Sequence, residues 1–194
     1  MNLRRTIRRM PTIARNAARD LRYGGFLGGT IQTRQAHLGA HDVGNAEYDE
    51  LKRLFAGVEV KPDDVIVDVG AGKGRAINWF LSQYPGNRIV GIELDPEVCM
   101  RTATRLQKHR NVTVLCGDAT ELLPDDGTVF YLFNPFEEPV LAKFAEALLR
   151  THGEGRRVVY YNCKFLGPFE GNERFEVTPL EGTRNHRSAL VYVK

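Results

Sequence analysis

The chain is expected to fold as an α/β domain with a doubly wound, mostly parallel sheet, and three observations carry that expectation. An apolar, β-branched run, Val65-Ile66-Val67-Asp68-Val69, breaks at once into glycines on alternate positions, Gly70, Gly72 and Gly74, and a long amphipathic segment follows. That is the pattern of a buried strand, a tight turn and a helix start. Strand-like and helix-like segments then alternate as far as residue 162, which implies parallel strands with helices on both faces. Beyond residue 162 the alternation stops. Two strand-like runs follow each other with no helical segment between them, which reads as an antiparallel C-terminal hairpin and brings the sheet to seven strands.

Taken in order, Pro11 suits the first turn of a helix running to about Arg22. Ile13, Ala14, Ala17, Ala18 and Leu21 fall on one apolar stripe, with Arg15, Arg19 and Arg22 off it. Residues 23–45 are glycine-punctuated and polar, and read either as a lid over a ligand mouth or as a plain linker. Residues 1–45 are thus a basic helical arm followed by a lid or linker, and residues 46–194 are the α/β domain. Asn45 is placed to cap a helix over 46–55. Strands are expected over 64–69, 88–93, 111–116, 128–133 and 156–162. Helices are expected over 73–84, 96–109 and 138–151, with a short helical turn near 119–123. Asp95-Pro96 opens the second of these helices, as N-cap and first helical residue. The hairpin strands are Phe175–Thr178 and Ser188–Val193, joined through Glu181-Gly182-Thr183. Residues 163–172 are too short and too rich in Gly and Pro for a helix.

The chain has 194 residues, 42% of them hydrophobic and 26% charged, the makeup of one ordinary globular domain. No run approaches the length of a membrane span, and the basic N-terminus lacks a signal-peptide core. An organellar transit peptide is a minor alternative. Three scattered cysteines, Cys99, Cys116 and Cys163, show no metal-ligand spacing and read as reduced thiols, so the expected location is the cytoplasm and no metal is expected. Charge is uneven. Residues 1–22 hold seven Arg and one Asp, a net of +6, so the remaining residues carry −3 of the overall +3. Such an arm suits RNA, anionic lipid or an acidic partner surface, or it is a solvated face of a helix packed on the body.

What ligand the glycine turn serves follows from spacing. Glycines let a backbone approach a ligand closely, and a helix start suits an anionic group. The dinucleotide pattern G-x-G-x-x-G would need glycine at Arg75, and the phosphate-loop pattern is absent. A second strand ends in an acid, Glu93, 19 residues after Gly74, placed to accept hydrogen bonds from ribose hydroxyls. A third leads into Cys116-Gly117-Asp118-Ala119, and a fourth into Asn134-Pro135-Phe136.

Asp68-x-Gly70-x-Gly72-x-Gly74 with these three later segments, in this order, resembles the class I, Rossmann-like S-adenosylmethionine (SAM) methyltransferases over about residues 45–194. The resemblance implies SAM as cofactor and S-adenosylhomocysteine as product. Asp68, Gly70, Ala71, Gly72 and Gly74 would then lie about the methionine half, Glu93 and Leu94 at the ribose, and Gly117, Asp118 and Ala119 at adenine, with Asn134 close by. Asp68 also reads as a strand-end acid satisfied by backbone N–H groups, and Asp118 as a helix cap.

Methyl transfer from a sulfonium needs positioning and a dry site more than a base. The acceptor-side candidates are Asn134, Pro135, Phe136 and His41. In amino-group methyltransferases of nucleic acids a related Asn/Asp-Pro-Pro-aromatic motif holds the target nitrogen, but this chain has one proline there, not two. Glu137 and Glu138 would repel a phosphate backbone and favour an amine or lysine. The expected acceptor is therefore an N or O nucleophile of a small molecule or protein side chain. A nucleic-acid amine reached through the arm, or a SAM-binding module that transfers no methyl group, is the alternative.

Overall fold

The computed structural model describes residues 3–151, 153–180 and 186–194, with the side chains of residues 3–9 left aside. A seven-stranded sheet forms from β1 (Val65–Val69), β2 (Arg88–Glu93), β3 (Val112–Cys116), β4 (Val129–Phe133), β5 (Arg157–Tyr161), β6 (Phe175–Leu180) and β7 (Ser188–Val193), in the order 3-2-1-4-5-7-6. β1 pairs in parallel with β2 and with β4, β2 with β3, and β4 with β5. Antiparallel β7 joins β5 to β6, the expected hairpin, whose Glu181-Gly182-Thr183 connection lies outside the described residues. Strand order reverses between β1 and β4, where open α/β sheets bind ligands beyond the carboxyl ends of their strands.

Both faces are covered, so the central strands carry unbroken apolar runs. Val65, Val67 and Val69 face one core, built on α5 (Glu138–Thr151) and the single turn of α6 (Gly167–Glu170), with Phe144 and Phe169 at its centre. Ile66 faces the other core, under α2 (Tyr48–Leu54) and α3 (Arg75–Gln83), with Trp79, Phe80 and Tyr131 stacked on Phe55. The helix α4 (Pro96–Leu106) crosses from β2 to β3 and starts as read, Asp95 accepting from the backbone N–H groups of Glu97 and Val98.

Several local expectations are corrected. One helical turn, α6, does form within residues 163–172, because Pro168 is tolerated in a first turn. Asn45 does not cap α2. Glu47 does, in a reciprocal box with Glu50, while Asn45 Nδ2 donates to the Leu27 carbonyl. The short helical turn expected near 119–123 does form, closing on the Asp118 carbonyl through the amides of Glu121 and Leu122.

Cys99 and Cys116 are not free thiols but a disulfide, with Cα atoms 5.6 Å apart. Seventeen residues separate them in sequence, yet α4 returns the chain so that its first turn lies against the end of β3. Only Cys163 is free among the described residues, and it is buried.

The N-terminal helix α1 spans Leu3–Arg22 and runs through Pro11 instead of starting there. The proline removes one N–H from the ladder, and the contacts of Asp20 and Arg19 hold the helix to the body beyond it. Its inward residues are Asn16 and Asp20, whereas Ile13, Ala14, Ala18 and Leu21 of the apolar stripe are exposed. Asp20 is fully buried, accepting from Arg75 Nε and Nη2, the Tyr48 hydroxyl and the Leu27 amide. Arg19 adds an ion pair to Asp49 on α2. No helix among the described residues is long and apolar enough to cross a membrane.

Candidate functional site

Two cavities open at the carboxyl edge of the sheet, on either side of the β1–β4 switch. One, of about 260 Å³, is lined by His41, Gly70, Glu93, Leu94 and Asn134–Phe136, with Asn162 opposite. The other, of about 430 Å³, is lined by Gly70, Leu94, Gly117, Asp118, Ala119 and Phe136. Gly70, Leu94 and Phe136 belong to both, so the cavities form one cleft divided by a bridge. Most of the residues selected from sequence converge there. Asp68, Ala71, Gly72 and Gly74 lie beneath the lining.

The glycine turn is fixed from β2, not left open for an anion. The amides of Gly70 and Ala71 donate to the Ile92 carbonyl, that of Gly72 to Glu93 Oε2 at 2.7 Å, and that of Gly74 to the Ala71 carbonyl. The amides of Gly70, Ala71, Gly72 and Gly74 are thus each taken by a partner within the protein. Glycine is required at Gly70, whose φ is +76° and where a Cβ would sit 2.7 Å from the Pro135 ring. At Gly72 a Cβ would strike Val43. The turn is thus shaped for close approach of protein segments as much as of a ligand.

Glu93 is buried and accepts from Gly72 N–H and, at 2.9 Å, from Asp95 N–H. A carboxylate has about four lone-pair sites, so accepting capacity stays available toward the cavity. Burial raises its pKa, and the Asp95 charge adds to that rise against the backbone donors of Asp95, Gly72 and Leu94. Asp68 is buried on the α2–α3 side of the sheet, and its Oδ2 has no hydrogen-bond partner. Burial, followed by the Glu93 charge, pushes its carboxyl up to about 8. The alternative of a strand-end acid satisfied by backbone N–H groups does not describe this oxygen. Tyr131, the register partner of Asp68 on β4, has a buried hydroxyl that is likewise unpartnered.

Asp118 accepts from the Thr120 amide at 2.8 Å and caps the turn after β3, while it remains exposed at the second cavity.

Residues 39–41 form the bridge. Ala40 pairs antiparallel with Phe136, the His41 amide donates to the Pro135 carbonyl, and the Glu137 amide donates to the Gly39 carbonyl. The His41 ring extends the pairing, with Nδ1 2.7 Å from the Asn134 carbonyl oxygen and Nε2 2.6 Å from Glu137 Oε1. Asn134 Nδ2 lies 3.3 Å from the same Nδ1. Glu137 also takes Lys164 Nζ at 3.0 Å, and these hydrogen bonds, the His41 contact first, hold its carboxyl below the usual range. Asn134 sits in the left-handed region at φ +43°, which Asn tolerates better than most residues. Its Oδ1 accepts from the Tyr160 hydroxyl at 3.1 Å.

Sequence reasoning selected His41 but missed what surrounds it. Thr33, Asp42, Val43, Gly44, Asp95 and Asn162 line the first cavity, and Glu137, Tyr160 and Lys164 brace Asn134 and His41. Of these, Glu137, adjacent to Asn134-Pro135-Phe136, and Asp95, the cap of α4, carried a signal in the sequence. The others lie 26 to 101 residues from Asn134 in the chain.

Residues 66–153 match the sequence profile of a family described as a methyltransferase domain. Among curated relatives, a probable ribosomal RNA small subunit methyltransferase A of Methanosarcina barkeri is 31% identical over 72 residues, 37% of this chain and 24% of that protein. A tRNA (guanine-N(7)-)-methyltransferase of Staphylococcus carnosus is 31% identical over 83 residues, 41% of this chain and 39% of that protein. The chain therefore spans well under half the length of these two relatives. An RNA methyltransferase from Salinibacter ruber, solved with S-adenosyl-L-homocysteine, superposes with a TM-score of 0.59 at 23% identity, covering 77% of this chain and 91% of that one. Profile, relatives and superposed fold meet on the same strands and turns that build the cleft: residues 66–153 match a methyltransferase domain, and the fold is that of the class I, Rossmann-like methyltransferases.

Proposed function

We propose that the chain binds SAM in this cleft and transfers its methyl group to a nitrogen or oxygen nucleophile. The observation that carries the reading is the pair of buried acids on adjacent strands, Asp68 with an unpartnered oxygen and Glu93 with spare accepting capacity beside the cavity. An orphaned buried carboxylate is costly, and an ammonium group supplies what it lacks. SAM carries an ammonium, a ribose diol and an adenine amine, which suit Asp68, Glu93 and Asp118 in that order. The bound cofactor supplies an activated methyl group. The chain's own residues orient the reactants, exclude water and receive the acceptor at Asn134-Pro135-Phe136.

Acidic groups about that motif, Glu137 and Glu138, favour an amine of a small molecule or a protein side chain. A nucleic-acid amine is the second reading, favoured by the names of the relatives and by the net +6 of residues 1–22. Residues 23–45 act in this scheme as a lid, and residues 46–194 as the catalytic domain.

Calorimetric titration with SAM, S-adenosylhomocysteine and NAD is the direct test. Binding of the first two alone is expected, and binding of NAD alone overturns the cofactor. A labelled-methyl assay with amines, protein and RNA as acceptors then separates the acceptor classes, and a chain that binds SAM without labelling any of them is a binding module.

A further inference from the structure

The N-terminal helix packs in the reverse of the usual sense. A surface helix normally buries its apolar stripe and exposes its charges. Here α1 is held to the body through polar groups, Asp20 to Arg75 and Tyr48 and Arg19 to Asp49. The apolar stripe faces outward: Met10 is 59%, Ile13 47% and Leu21 63% exposed. Exposed Ala14 and Ala18 join them on the same face, and Arg15 and Arg22 flank it, also exposed. The body continues the surface beyond the helix end. A shallow depression joins Gly24 to Met100, Arg101 and Arg105 on α4, with Met100 67% exposed and Phe26, in the connecting segment, 62% exposed.

We infer that α1 is an interfacial helix that docks this protein onto an anionic lipid surface. Its length, about 30 Å at 1.5 Å per residue, suits a helix lying in the plane of a bilayer. A helix there needs two things on the same side, apolar residues to enter the acyl boundary and basic residues to reach anionic headgroups. This helix presents the apolar residues on its outer side, and its exposed Arg15 and Arg22 lie along the border between that side and the body, Arg15 reaching Asp49 at 3.3 Å. The net +6 of residues 1–22, against −3 for the remainder, supplies the charge complementarity and orients the molecule arm first. RNA would use the arginines but has no use for Met10, Ile13 and Leu21, so the apolar stripe favours lipid.

Co-sedimentation of the full chain with vesicles tests this. Mixed phosphatidylglycerol and phosphatidylcholine vesicles should retain the protein, and pure phosphatidylcholine vesicles should retain it far less. The variant Met10→Ser/Ile13→Ser/Leu21→Ser keeps every charge and should bind anionic vesicles about tenfold or more weakly. Arg15→Gln/Arg22→Gln should weaken binding and flatten its salt dependence. All five positions are exposed, and melting curves matching the parent's would show that the body is intact. No retention on anionic vesicles overturns the inference, as does equal retention of the serine variant. Tight binding to a generic RNA oligonucleotide that the serine variant keeps and the glutamine variant loses, without vesicle binding, makes α1 an RNA arm instead. Dimerisation abolished by the serine substitutions, without vesicle binding, assigns the stripe to a second copy.

Discussion

The two halves of the cleft are built in different ways. The half around β1 and β2 is assembled within one strand–turn–helix–strand unit, where Ile92 and Glu93 lock the amides of Gly70, Ala71 and Gly72 across neighbouring strands. The half around β4 is completed only when residues 39–41 pair with 135–137, nearly a hundred residues away in the chain, through a bridge and one histidine. The first half is anchored in the sheet and buried. The second rests on two backbone bonds and partly exposed charges. This contrast teaches that the cofactor half is rigid at the level of the sheet, while the acceptor half depends on a removable strap.

Four substitutions set the halves against each other. The largest effect is expected from Arg75→Met, which leaves Asp20 buried without its cation. Loss of one partner of a buried ion pair costs about 3–5 kcal/mol, read as a lower midpoint in urea, and α1 should detach first in hydrogen exchange. An unchanged midpoint would show that the arm is not coupled to the body.

Asp68→Asn is next. The unfolded carboxyl titrates near 3.9 and the folded one near 8, so the folded chain binds the extra proton between those values. Stability of the ligand-free protein should therefore be greatest at low pH in this window and fall as pH rises from about 4 to about 8. The asparagine variant should flatten that slope and be more stable than the parent at pH 8, while it binds SAM more weakly. Persistence of the slope in melts across that range would place the titration elsewhere.

Glu93→Ala should weaken SAM binding by about 1–3 kcal/mol. Calorimetry showing full affinity in a folded variant would remove Glu93 from the ribose. The smallest effect is expected from His41→Ala. Loss of two hydrogen bonds in a partly exposed setting should lower protection of the Glu137 amide by about 1 kcal/mol and leave SAM affinity within about twofold. A large loss of SAM affinity would mean that strap and cradle are one unit.

The same contrast explains what was legible in the sequence. Strand β1, the glycine turn, Glu93 and the Asp95-Pro96 cap are written in consecutive residues with strong local preferences, and they stand where periodicity and spacing put them. The strap was legible only as a glycine-rich segment, because its partner residues are set by tertiary approach. The disulfide escaped for a similar reason: no spacing rule relates Cys99 to Cys116 until α4 folds back over β3. Orientation of α1 was misjudged because its stripe is genuine but unburied. Two polar residues, Asn16 and Asp20, fix which side turns inward, and periodicity alone gives them no weight.

His41 has a kinetic consequence. Its amide and ring occupy the carbonyls of Pro135 and Asn134, the positions assigned to the acceptor. On the proposed reading an acceptor amine and the strap compete for the same two oxygens, so the strap must lift before the acceptor seats. The cofactor half needs no such opening. Turnover should then follow a compulsory order, SAM before acceptor, and the free energy of lifting the strap should appear in the KM for the acceptor and not in that for SAM.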